Sequence, residues 1–286
     1  DKFRQLDEAL PTANSYRTAG GEPGHAYWQQ KVDYVMDLVL DDENQRLYGE
    51  ETITYHNLSP DVLSYLWVQL DQNMRAKDSD TYATRITSIE EAMSFNELRK
   101  LSHDFDGGFK IDFVKDAAGK ALPYTINKTM MRVELPTVLS KGESFTFKIK
   151  WWYNINDQKN DGGRSGYEYF PEDGNYAYTI AQFFPRLAVY NEVEGWQNKQ
   201  FLGRGEFALP FGDYKVSITA PADHIVASTG TLLNPKSVLT ATQRKRLEEA
   251  EKSLVNPVLI VTQEEAEAAE KSKATETKTW IYEAEN

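Results

Sequence analysis

The sequence predicts an all-β protein: a large curved antiparallel β-sheet or β-sandwich, saddle-like in outline, with a small helical insertion near residues 236–272. Three observations predict it. Apolar and polar residues alternate with period two in many short runs, as strands with one buried face require. Clusters of Gly, Asp and Asn separate those runs and supply turns. Helical spacing of apolar residues is confined to the stretch between Pro235 and Lys273.

Residues 1–25 read as an extended tether, because Pro11, Gly20, Gly21, Pro23 and Gly24 break any periodicity. Alternation then begins: Val32, Tyr34, Met36, Leu38 and Leu40 share one face, with Lys31, Asp33, Asp37 and Asp41 opposite. The polar run Asp41-Asp42-Glu43-Asn44 turns the chain into a partner through Ile53 and Tyr55, which predicts a hairpin. Further strands are expected around Leu63–Leu70, Phe109–Val114, Met131–Leu135 and Tyr214–Ala220. The clearest runs through Phe145, Phe147, Ile149, Trp151 and Tyr153, with Ser144, Thr146, Lys148 and Lys150 opposite. Turns are expected at Asp106-Gly107-Gly108 and Ala118-Gly119-Lys120. Many antiparallel strands with regular turns give a sandwich or an extended sheet.

Within the insertion, Thr240-Ala241-Thr242-Gln243 is a capping-box signature, and Leu247, Ala250 and Leu254 follow at helical spacing. Thr262-Gln263-Glu264-Glu265 repeats the signature. Two short helices around one strand, Val258–Val261, are therefore expected, their charged faces solvated. Thr277 to Asn286 reads as a final strand. No repeat or low-complexity linker marks a firm domain boundary.

Composition excludes several functions. The 286 residues carry 32 Lys+Arg against 44 Asp+Glu, a net charge of −12 that opposes nucleic-acid binding. Forty per cent hydrophobic residues, 12% of the chain being aromatic, support a packed core and exclude global disorder. No run long enough for a transmembrane helix is present. Zero cysteines exclude disulfides, thiolate metal sites and cysteine nucleophiles. The chain opens at Asp1 without Met, so a processed product or a trimmed chain is expected, which leaves room for a lost signal peptide. A periplasmic or exported location is compatible with this but unassigned.

No motif within the chain assigns a catalytic residue or a metal ligand. His25, His56, His103 and His224 form no close pair of the His-Glu-x-x-His kind, and each reads as a surface or strand histidine. A Ser-His-Asp triad stays open, since its members need not be neighbours, but Gly163-Arg164-Ser165-Gly166 lacks the spacing of a nucleophile elbow. Gly203-Arg204-Gly205 reads as a turn rather than a phosphate loop. Asp104 to Lys115 resembles a calcium loop only in its start, because its twelfth position is Lys115 instead of Glu. Asn57-Leu58-Ser59 and Asn127-Lys128-Thr129 match the glycosylation sequon. Tyr167, Tyr169, Phe170, Tyr176 and Tyr178 crowd a Gly/Asp-rich stretch, read either as aromatic loops at a sandwich edge or as a loop closing over a ligand.

The most informative segments are Ala181-Gln182-Phe183-Phe184-Pro185, Gly195-Trp196, Phe211-Gly212-Asp213-Tyr214-Lys215-Val216-Ser217-Ile218-Thr219 and Ala227-Ser228-Thr229-Gly230. In this order they resemble the amino-terminal domain of the M1 family of zinc aminopeptidases, the gluzincins. The Tyr34–Tyr55 hairpin and Leu66-Trp67-Val68-Gln69-Leu70 resemble that family's first strands, so the resemblance spans residue 26 to the end. Leu202 to Phe207 and the helical insert place it nearest a bacterial branch.

The resemblance implies a noncatalytic β domain over residues 26–286, which scaffolds a thermolysin-like catalytic domain expected after residue 286. Zinc and the His-Glu-x-x-His motif would belong to that partner domain, with no cofactor in this chain. The parent would be a zinc metalloaminopeptidase, binding the amino terminus of a peptide substrate. In the family, a Thr-Gln-x-Glu/Gln segment contacts the substrate's free amine. Gln182 matches the Gln, whereas Ala181 replaces the Thr and Phe184 the second polar residue. Gln182 and Phe184 are therefore the expected substrate-binding residues, with Phe184 packing on an apolar side chain. A stand-alone carbohydrate- or peptide-binding β-sandwich module is the alternative.

Overall fold

The alternation that opens the chain builds the centre of the fold. In the computed structural model, which describes residues 13–84, 92–95, 98, 104–203, 205 and 208–285, strand β1 (Lys31–Asp41) and strand β2 (Arg46–His56) form the expected hairpin, from Lys31 opposite His56 to Asp41 opposite Arg46. Its turn is held by the Asp41 carboxylate, which accepts from the Asn44 backbone N–H at 3.0 Å. Strand β7 (Ser144–Asn154) pairs antiparallel along the whole of β2, and β4 (Lys110–Asp116) covers the far side of β7.

On the other side of β1 the pairing departs from an all-antiparallel sheet. Strand β13 (Tyr214–Pro221) lies parallel to β1, from Tyr34 opposite Tyr214 to Val39 opposite Thr219. A parallel neighbour needs a long crossover, and here almost the whole of the intervening chain provides it. Gly212 makes the approach possible: a Cβ there would sit 1.7 Å from the Val32 carbonyl oxygen. Strands β15 (Thr277–Ala284) and β14 (Thr231–Leu232) complete the order β14-β15-β13-β1-β2-β7-β4. The fold is thus mostly β with a large mixed sheet of seven strands.

A second sheet, in the order β10-β3-β6-β5, joins β3 (Leu63–Gln69), β5 (Tyr124–Asn127), β6 (Met130–Leu139) and the two-residue β10 (Arg186–Leu187). The inward residues of both sheets share one core: Val32, Tyr34, Met36, Ile53, Tyr55, Phe147, Ile149 and Trp151 from the first, Leu66, Val68, Met131, Val133 and Leu187 from the second. Each such side chain contributes roughly 1.5–3 kcal/mol through removal from water. Gly49 leaves room for the Trp151 indole, which would meet an added Cβ at 2.3 Å. A charged residue interrupts the apolar face of β2. Glu51, flanked on its face by Met36 and Ile149, is fully buried.

The Tyr-rich stretch forms a hairpin, β8 (Gly166–Phe170) with β9 (Asn175–Thr179), in place of a loop. Two further two-residue strands, β11 (Tyr190–Asn191) and β12 (Gly195–Trp196), pair with each other. In the insertion both helices form, Ala241–Ala250 and Gln263–Glu270, each with a complete capping box. A short helix, Pro235–Val238, precedes them. Val258–Val261 forms no strand and bends at Ile260 and Val261; the Ile260 carbonyl accepts from the Arg246 guanidinium at 3.2 Å instead. A second, smaller core of Ala220, Val238, Trp280 and Tyr282 seats the insertion on β13 and β15. No helix among the described residues is long and apolar enough to cross a membrane.

Candidate functional site

Strand β3 ends where its apolar alternation gives way to Asp71-Gln72-Asn73, three buried polar residues that form a 3-10 turn, Asp71–Arg75. Buried polar groups need partners, and these find them in distant segments. Asn73 Nδ2 donates to the Lys128 carbonyl at 2.7 Å, and its Oδ1 accepts from the Phe109 N–H at 2.7 Å. Asp71 pairs with Arg186 on β10. Gln72 reaches the segment of interest: its Nε2 donates to the Ala181 and Gln182 carbonyls at 3.2 and 3.0 Å, and its Oε1 accepts from Arg75 Nη1 at 3.1 Å. Ser165 Oγ accepts from the Ala181 N–H and lies 2.9 Å from its carbonyl oxygen.

These bonds clamp a strained residue. Gln182 has φ of 51°, in the left-handed region that a non-glycine residue occupies at a cost of order 1–3 kcal/mol. Half-buried Gln182 lines a cavity of about 160 Å³ together with Met74, Arg75, Gly163, Arg164 and Phe201. Phe184 does not line it. Its ring sits in the core, edge-on to Tyr34 and Tyr214 at 5.2 and 6.2 Å. The turn at Gln182 thus separates a residue that lines the cavity from Phe184, which enters the core. Gln72, Arg75 and Ser165 carry no local sequence signal, because only the folded chain brings residues 72–75, 165 and 182 together.

The histidines have structural partners or lie on the surface. His56 bridges two strands, with Nε2 2.8 Å from Asp33 Oδ2 and Nδ1 2.7 Å from Ser144 Oγ. That is a Ser-His-Asp chain, but the Ser meets Nδ1 and the Asp meets Nε2, the reverse of the hydrolase arrangement. Asp33 is also held by Lys31 and by the Asp213 N–H. His224 lies between Asp223 and Asp42, at 3.4 and 3.7 Å, and the neighbouring Asp42 carboxylate raises its pKa against the opposing effect of burial. Asp42 also accepts from the Tyr178 hydroxyl at 2.7 Å, tying the β8–β9 hairpin to the β1–β2 turn. His25 is exposed, and His103 lies outside the described residues.

Across that hairpin Tyr167 pairs with Tyr178 and Tyr169 with Tyr176, with ring contacts of 4.9–6.2 Å along the ladder. A larger cavity of about 520 Å³ lies between the insertion and the sheet edge, over Trp280 and Tyr282 and under Leu247 and Ile260. It shares no lining residue with the cavity at Gln182. Asn57 is buried and bonded on both sides of its amide, to Gln30 and Ser59 and to the carbonyls of Asp61 and Leu139, so its sequon is closed to modification. Among the described residues no group of three or more His, Cys, Asp or Glu side chains could hold a metal ion.

No family model matches the chain, and no curated protein does. Among solved structures it is similar to an M1 zinc metallopeptidase from Deinococcus radiodurans, at 12% identity and a TM-score of 0.41, over 91% of this chain and 40% of that one. A mutant of an M1 zinc metallopeptidase from the same organism gives 13% identity and a TM-score of 0.40, over 92% and 40% of the two chains. A mutant with a bound Tyr-Ser-Ala substrate gives 14% and 0.40, over 92% and 40%. The chain therefore spans about 40% of the length of these solved chains. Likeness at this level transfers no activity, substrate or ligand to the chain.

Proposed function

We propose that residues 26–286 are the noncatalytic amino-terminal β domain of an M1-type zinc aminopeptidase, which scaffolds a separate catalytic domain and contributes one wall of the pocket for the substrate's amino terminus. The observation that carries the reading is Gln182. The segment that resembles the family's amine-contacting motif is also the one held in a strained conformation beside a cavity. Strain of this kind persists only where surrounding contacts over-determine it, and here Gln72 and Ser165 do so.

In this reading the amide oxygen of Gln182 accepts a hydrogen bond from the substrate ammonium group, and Phe184 shapes the wall from behind. No residue of this chain takes part in bond cleavage. The described residues offer no ligand cluster for zinc, so the metal and its chemistry are assigned to the partner domain. The domain contributes position and exclusion of water, which lower the barrier only through chemistry performed elsewhere.

The test uses the full-length protein. Its reading frame should continue past the codon for Asn286 into His-Glu-x-x-His with a later Glu. Gln182→Ala should then raise KM for aminoacyl substrates by about tenfold to a hundredfold while kcat changes little, since a hydrogen bond to a charged group is worth roughly 1.5–3 kcal/mol. A stop codon after Asn286, or an unchanged KM, would overturn the proposal.

A further inference from the structure

Arg75 is a cation in search of an anion. Arg17, Arg132, Arg186 and Arg246 each close on a carboxylate. Arg75, half-buried, makes one hydrogen bond among the described residues, to the neutral amide oxygen of Gln72. No carboxylate stands within ion-pair distance of it among those residues, and Asp161 attracts it only from farther away. Burial accordingly lowers its pKa. A guanidinium has five N–H donors and no acceptor, so among the described residues most of its hydrogen-bonding capacity is uncommitted.

The guanidinium borders the cavity at Gln182, and the wall around it is built to leave it open. Gly163 lies against Nη2, where an added Cβ would come within 2.8 Å. Arg164, which has a partner of its own, adds a second positive charge to the wall. In a chain with 44 acidic residues, none of the described residues lining this cavity is acidic. Its volume of about 160 Å³ is well below that of a pocket for a drug-sized ligand and suits a single amino-acid side chain.

We propose that this cavity is a carboxylate subsite, in which Arg75 holds the acidic side chain of a peptide ligand's first residue while Gln182 accepts from its ammonium group. The inference rests on the function proposed above for the choice of a peptide as ligand. The carboxylate preference rests on Arg75 and the cavity alone. A planar fork of donors suits a carboxylate in two-point contact. The same chemistry could be supplied by a short peptide's carboxyl terminus, and the probes separate the two.

The 286-residue chain, labelled with nitrogen-15, is titrated with glutamic acid α-amide, glutamine α-amide and N-acetylglycine, following the Arg75 Nε–H and the Gln182 side-chain amide signals. Glutamic acid α-amide should move both signals and saturate at a concentration at least tenfold lower than glutamine α-amide. Arg75→Gln should abolish that preference and Arg75→Lys should retain part of it. Equal response to the two amides would overturn the proposal, and that comparison needs no variant to fold. Stronger binding of N-acetylglycine would overturn the side-chain assignment in favour of a peptide carboxyl terminus. In the full-length protein the ratio of kcat/KM for glutamyl over glutaminyl substrates should fall at least tenfold in Arg75→Gln. Absence of any aminopeptidase activity would refute the proposed function, whereas the titration would still decide the carboxylate preference.

Discussion

Glu51 should make the fold less stable as pH rises through the neutral range, and its removal should reverse that. Its side chain is fully buried in the centre of the large sheet, facing the core. Among the described residues neither carboxyl oxygen makes a hydrogen bond of normal geometry, and the indole of Trp151 supplies the compensating interaction. Desolvation therefore drives its pKa well above the ordinary 4.5. In the native state the carboxyl keeps its proton at pH values where the unfolded chain has released it. The slope of unfolding free energy with pH follows protons bound in the unfolded minus the native state, so this difference is negative from about pH 4.5 up to the native pKa. One proton corresponds to at most about 1.4 kcal/mol per pH unit. Between pH 5 and 7 the wild type should lose up to about 2–3 kcal/mol from this group, on the order of a fifth or more of a typical domain's stability. Urea unfolding of the wild type and Glu51→Gln at pH 5, 6, 7 and 8 measures it. The variant's stability relative to wild type should grow with each step and level off above the native pKa. Taking the difference removes the contribution of His224, which titrates in the same range in both proteins. A difference constant across the series would show that Glu51 ionises alike in both states, and would refute the reasoning.

Three further outcomes are expected. Gly49→Ala should destabilise the protein by about 1–3 kcal/mol, read as a lower urea midpoint at unchanged slope, because the new methyl must displace the Trp151 ring. Replacing the caps Thr240 or Thr262 by Ala should cost about 1 kcal/mol each and speed amide exchange in the helix concerned, leaving β1 and β2 unchanged. His224 has a raised pKa, so its contribution is complete below about pH 6.5 and is lost as pH rises through the native pKa. His224→Gln should therefore cost more at pH 5.5 than at pH 8.5, and NMR titration of the imidazole should give a midpoint above 6.5.

Much of the fold was legible because one-sided burial writes itself into a strand. Val32 to Leu38 and Phe147 to Tyr153 each have a single wet face, and both strands lie where the pattern places them. The caps were equally readable, since a capping box is local chemistry. The parallel pairing of β1 with β13 was not, because partner choice depends on the whole chain's topology and leaves no mark on either strand. Val258–Val261 misled because a short apolar run can line a groove as well as enter a sheet. The Tyr hairpin was hidden by its aromatic residues, which fill one face without any aliphatic alternation, and by its acidic, Gly-containing tip. At the site, Gln182 was reached through resemblance. Arg75 was not, since nothing in its neighbourhood distinguishes a guanidinium with no carboxylate from the chain's paired ones.

The parallel junction between β1 and β13 also governs how the chain can reach this state. The contact between Asp33 and Asp213 spans 180 residues. Contacts of such separation raise the contact order and slow folding, because the loop must close before the pairing rewards it. During synthesis β1 can pair with β2 at once, but its other edge stays open until the ribosome has delivered β13. An open edge is a template for intermolecular pairing. Chains halted before Tyr214 should therefore aggregate, and a chaperone that shields that edge should improve the yield of soluble protein more than one that acts after release.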